Sequence, residues 1–129
     1  MAEVWSVHAT EDACDLAIRA PGAGRVAPDE VFVREPIADD LRTAILTVDP
    51  AALIREATEG WTAVVVGDDA RDVFARLSAL RLPDGPGYLQ GEVARVAARV
   101  FVDDDGITLF VPASFEHHVR RRVDEERRP

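Results

Sequence analysis

The chain has 129 residues, 47% of them hydrophobic and 30% charged, with a formal net charge of −9. That length supports a single domain spanning 1–129, and that balance excludes a disordered chain. An acidic surface repels phosphate backbones and anionic bilayers, so neither nucleic acid nor membrane is expected as a partner.

The first residues, "MAEVWSVHATEDACD", carry acids and no basic segment, unlike a signal peptide. No apolar run approaches the ~20 residues of a membrane span. Cys14 is the one cysteine and has no internal partner, which fits a reducing compartment. The expected location is cytoplasmic.

Weak alternation predicts a strand over "VWSVHA" (Val4 to Ala9). A clearer one follows over "CDLAIRA" (Cys14 to Ala20), with Cys14, Leu16 and Ile18 on one face. "PGAGRVAPDE" (Pro21 to Glu30) reads as a loop. Its "GAG" is no phosphate cradle, because Pro28 stands where the required helix would begin. "EVFVREP" and "RTAILTV" (Arg42 to Val48) read as strands. "DPAALIREATEG" then predicts a helix capped by Asp49, with Pro50 at its first position, an apolar stripe of Leu53, Ile54 and Ala57, and a stop at Gly60.

"WTAVVV" (Trp61 to Val66) predicts a strand buried on both faces. Gly67 turns the chain, and Asp68 or Asp69 caps a helix whose Ala70, Val73, Phe74, Leu77 and Leu80 share one side. Arg71 and Arg76 fall on its solvated side, and Pro83 prevents continuation. "LPDGPGYLQG" reads as a loop. Val96, Ala98, Val100 and Val102 alternate, and Ile107, Leu109 and Val111 answer them across an Asp105–Gly106 turn, which predicts a hairpin. A last helix follows Pro112, with Phe115, Val119 and Val123 inward and Arg121–Glu125 and Arg122–Glu126 paired at i,i+4. The expected fold is α+β: a mostly antiparallel sheet of about six strands with about three helices on one face. Val64, Val66, Phe74, Leu77, Val100, Leu109 and Val119 are expected to share its core.

No residue pattern predicts catalysis or a metal. His117 and His118 are adjacent, and neighbouring helical positions point about 100° apart, so two imidazoles there do not converge. Asp103 to Asp105 suit a turn and lack the further spaced oxygens of a calcium loop. Glu56, Glu59, Asp68, Asp69 and Asp72 pair with no histidine or second acid at a converging spacing. Ser78 and Ser114 lack nucleophile surroundings, and only His8 lies near Cys14 in the sequence. No cofactor-binding residue is identified.

The order of "GWTAVVVGDDARDVFARL", then Gly91, a hairpin and "LFVPASFEHHV", resembles the aminomethyltransferase-like superfamily. That superfamily includes the glycine-cleavage T-protein, a folate-dependent iron–sulfur-cluster assembly factor and the gamma subunit of heterotetrameric sarcosine oxidase. The pattern is most similar to the gamma subunit, over roughly 50–123. The resemblance implies a ferredoxin-like or aminomethyltransferase-like architecture. It implies a non-catalytic accessory subunit that associates with larger oxidoreductase subunits, with flavin and folate held only by those partners and no cofactor in this chain. Where the T-protein has a D-V-S-H-M type motif, this chain reads Glu56, Ala57, Thr58, Glu59, Gly60, and "EVARVAARVFV" replaces the later tyrosine-containing run. Folate-contacting residues therefore do not carry over. The alternatives are a stand-alone small folate-binding protein or enzyme using carboxylates between Glu56 and Asp69, and an adaptor domain of unknown partner. Trp5 and Tyr88 are candidate interface anchors.

Overall fold

The structure, a computed structural model, describes residues 3–67 and 69–127. Where the length alone suggests one domain, the chain divides into two compact units, Met1–Thr58 and Glu59–Pro129. The class is α+β and every strand pair is antiparallel, but the described residues form eight strands in two sheets and four helices.

The first unit runs β1 (Trp5–His8), α1 (Glu11–Ala17), β2 (Ala23–Ala27), β3 (Glu30–Val33), α2 (Asp39–Val48) and β4 (Leu53–Glu56). The sheet order is β2-β3-β1-β4, so β1 sits between two strands that come later in the chain. This β-α-β-β-α-β path is the split β-α-β arrangement of ferredoxin-like folds. Val7, Val31 and Val33 of the sheet share a core with Ala13, Cys14 and Ala17 of α1 and Ile45 of α2.

Four elements here differ from the sequence reading; the first is the predicted loop from Pro21 to Glu30, which holds the strand β2 and ends in the first residue of β3. The predicted strand from Cys14 to Ala20 is instead the helix α1. The Thr10 hydroxyl accepts the Ala13 N–H at 3.4 Å, and Glu11 and Asp12 complement the dipole of the first turn. Its buried residues are Ala13, Cys14 and Ala17, a helical spacing, and Ile18 is left exposed. The strand predicted from Arg42 to Val48 is the helix α2, in which Thr47 returns its hydroxyl to the Thr43 carbonyl at 2.8 Å. The helix predicted after Asp49 is a turn followed by a strand. Asp49 accepts the Ala51 N–H at 3.0 Å and the Thr10 N–H at 3.0 Å through its two oxygens, folding the chain back before helical bonds can start. β4 then pairs with β1, placing Ile54 opposite Val7 and leaving Leu53 exposed.

The second unit runs β5 (Trp61–Val66), α3 (Ala70–Leu77), β6 (Gly87–Val93), β7 (Val96–Asp103), β8 (Gly106–Pro112) and, after a 3-10 turn at Ala113–Phe115, α4 (Glu116–Arg127). The order β5-β8-β7-β6 makes a three-strand meander with β5 added at one edge. All seven expected core residues, Val64 through Val119, lie in its core with both helices. Five details depart from expectation. β5 is an edge strand and alternates, so Val64 and Val66 are buried at 2% and 0% while Val65 is 64% exposed. β6 occupies much of the predicted loop. The β7–β8 turn lies at Asp104–Asp105, with Asp103 paired to Gly106. Gly106 sits at φ 148°, and a Cβ there would meet the Val66 carbonyl at 2.7 Å, which only glycine avoids. Helix α3 ends at Leu77, so Leu80 packs on the core from the loop beyond, and Phe115 stands 46% exposed outside the inner stripe. Among the described residues, no helix is long and apolar enough to cross a membrane.

Candidate functional site

Hairpins with two-residue turns favour two successive residues at positive φ, a demand usually met by Asn-Gly or Gly-Gly. The β6–β7 hairpin meets it with Ala94 at φ 51° and Arg95 at φ 67°, between the paired Val93 and Val96. Each such residue costs about 1–2 kcal/mol relative to the right-handed region. The turn is held from both sides. The Ala94 N–H donates to the Leu77 carbonyl at the end of α3 at 2.8 Å, and the Ala94 carbonyl lies 3.0 Å from Nε2 of His118 on α4. A carbonyl only accepts, so His118 carries its proton on Nε2 in this contact.

Beside the turn is a cleft of ≈ 680 Å³, lined in part by Arg76, Ser78, Glu92, Arg95, His118 and Arg122. The Ser78 hydroxyl donates to the Glu92 carbonyl at 2.7 Å and accepts the Leu80 N–H at 3.1 Å. Its proton is thus fixed on a backbone oxygen, where it closes the chain reversal after α3. Arg76 donates to the Glu126 carbonyl at 2.8 Å, satisfying a free carbonyl near the end of α4. Arg122 reaches the Glu126 carboxylate at 3.4 Å and that of Glu125 at 3.8 Å. Arg95 makes no hydrogen bond or ion pair among the described residues. The lining residues include three arginines, one glutamate and the leucines Leu77 and Leu80. Such a lining suits an anion, and its one hydroxyl, that of Ser78, is bonded to a backbone carbonyl and not to a base.

The other residues singled out by sequence are scattered. His117 is exposed and His118 half-buried, so the two do not converge. Asp103, Asp104 and Asp105 line a separate hollow with Asp69 and Asp72. Among the described residues, no group of three or more His, Cys, Asp or Glu side chains is placed to hold a metal ion. Asp69 precedes α3 at φ 56° without a side-chain cap bond, and Asp68 lies outside the described residues. Glu56 accepts the Thr58 hydroxyl at 2.9 Å, and Thr58 accepts the Val4 N–H at 3.1 Å, a local closure of the first unit. Ser114 is exposed on the 3-10 turn. Cys14 is fully buried with its thiol 3.7 Å from the Ala9 carbonyl, and burial pushes its pKa above the ordinary thiol value. A thiol so placed is a core group, the opposite of the electropositive, accessible setting of reactive cysteines.

Trp5 is half-buried with the Arg42 guanidinium 5.3 Å from its ring centroid. Its buried Nε1 has no hydrogen-bond partner among the described residues. Tyr88 donates to Gln90 at 2.6 Å and meets the Phe101 ring at 5.0 Å. Both anchors are thus engaged within their own units. At the start of α4, a hydrogen bond from Arg120, with a second from Thr62, holds the Glu116 carboxyl below the usual carboxylate range. Arg120 also donates to the Ala63 carbonyl at 3.1 Å, tying the helix to the free edge of β5. Sequence reasoning missed Arg95 because "EVARVA" carries neither glycine nor asparagine to mark a turn.

No protein-family model matches the chain, and no curated protein matches it. Among solved structures, a chain of heterotetrameric sarcosine oxidase from Corynebacterium sp. U-96, in complex with pyrrole 2-carboxylate, is similar with a TM-score of 0.76. The identity is 11%, and the match covers 97% of this chain and 78% of that one. At that identity the likeness establishes a shared fold.

Proposed function

We propose that this chain is a non-catalytic accessory subunit of a larger oxidoreductase assembly, similar to the gamma subunit of heterotetrameric sarcosine oxidase. The observation that carries the reading is the fold likeness over 97% of the chain to a protein whose working form is a heterotetramer. The side chains agree with it. The Ser78 hydroxyl donates to the Glu92 carbonyl, and the Cys14 thiol is buried in the core against the Ala9 carbonyl. In this reading flavin and folate belong to the larger partners, in the cytoplasm, and this chain contributes surface.

Affinity capture of the tagged chain from its host, followed by identification of what co-purifies, tests it. A larger flavin-containing chain should be recovered, and calorimetry on the lone protein should give no heat with folate or flavin. Tight folate binding by the lone protein, with no larger chain recovered, would replace this reading with that of a stand-alone folate-binding protein.

A further inference from the structure

The cleft beside the Ala94–Arg95 turn opposes the charge of the chain that carries it. Arg76, Arg95 and Arg122 line it with one acid, Glu92, in a protein of net charge −9, and of the three only Arg122 is ion-paired among the described residues, with Glu125 and Glu126. Arg76 and Arg122 each use part of their donor set on the end of α4, and a guanidinium has five N–H donors, so both retain capacity. Arg95 has spent none among the described residues. Its backbone adds an independent point. Glycine at 95 would remove the strain of a φ of 67°, yet an arginine stands there, exposed and pinned in place through Ala94 by α3 and α4. Strain kept by flanking bonds is a pointer to function.

We propose that this cleft binds an acidic, extended segment of a protein partner, with carboxylates on the guanidinium groups and an apolar side chain against the partly exposed Leu80. The three arginines come from three places, α3, the turn and α4, around one cleft of ≈ 680 Å³. A chain carrying several carboxylates offers each guanidinium its own acceptor pair, and its backbone and apolar side chains fill a cleft of this volume as a compact anion does not. The proposal rests on the subunit reading only in naming a protein as the source of the segment.

Amide-resolved NMR titration of the full chain tests it, using a blocked peptide that alternates glutamate and leucine, its glutamine counterpart, and citrate. The acidic peptide should shift Ser78, Ala94 and Arg95, and the glutamine peptide should not. Arg95→Gly should weaken binding about ten-fold, the loss of one charge-assisted contact, while raising the melting temperature. Arg95→Lys should retain most of the binding. Equal binding of the two peptides, shifts confined to another surface, undiminished binding by Arg95→Gly, or citrate binding as tightly as the acidic peptide would each overturn the proposal. A captured larger subunit without peptide shifts condemns the cleft alone. Peptide shifts without a captured subunit condemn the subunit reading alone.

Discussion

Both units place two helices on one face of a four-stranded antiparallel sheet, yet they fill the space between helix and sheet with different side chains. In Met1–Thr58 the helix α1 contributes Ala13, Cys14 and Ala17, small groups that let the helix lie close to β1 and β3. In Glu59–Pro129 the helix α3 contributes Val73, Phe74 and Leu77, which reach down onto Val100 and Leu109. Pairing differs too. In the first sheet β1 takes both neighbours from distant parts of the chain and only β2 and β3 form a hairpin, whereas in the second β6, β7 and β8 pair across tight turns and only β5 joins from afar. The first unit thus relies more on small contact residues and non-local pairing, the second more on bulk and local hairpins.

The largest effect should come from removing bulk in the second unit. Phe74 is 1% exposed, and Phe74→Ala should cost about 3–5 kcal/mol in chemical denaturation. An unchanged midpoint would show that bulk at this interface is not what holds the unit. The first unit should fail in the opposite direction. Ala17→Leu, at a position 1% exposed, should cost about 1–3 kcal/mol by forcing α1 away from its sheet. If the larger residue stabilises, the close-approach account of that unit is wrong. Next comes the start of α1: Thr10→Ala should lose about 0.5–2 kcal/mol, read by thermal unfolding, because the Ala13 N–H loses its acceptor.

The smallest effect is a pH dependence in the second unit. The folded Glu116 carboxyl titrates below its ordinary value, so its contribution is present above the unfolded pKa and is lost as pH falls through the folded one. Glu116→Gln should therefore melt slightly below the parent at neutral pH, and the gap should close on acidification. A gap that persists in acid would mean that its ion pair with Arg120 is not the cause.

The same contrast explains what could be read from the residues in advance. Val96 to Val111 announces its hairpin because both strands alternate and β-branched residues dominate, and the Phe74 helix shows a stripe of large residues. In the first unit, small residues hide the helical stripe. Cys14, Leu16 and Ile18 mimic a strand by alternating, and only the Thr10 cap with its following acids speaks for a helix. Asp49-Pro50 carries the chemistry of a helix start and of a turn alike, and its tertiary bond to Thr10 decides between them. The arginine cleft was hidden for a third reason: its members lie at 76, 95 and 122, and the turn that gathers them uses alanine and arginine where glycine would have marked it.

Native mass spectrometry of the chain captured gently from its own host is the most direct test of the central claim. An accessory subunit should appear within an assembly far heavier than its own 14.1 kDa, releasing larger flavin-bearing chains on activation. A species of 14.1 kDa alone, or a folate complex of that chain, would contradict the account.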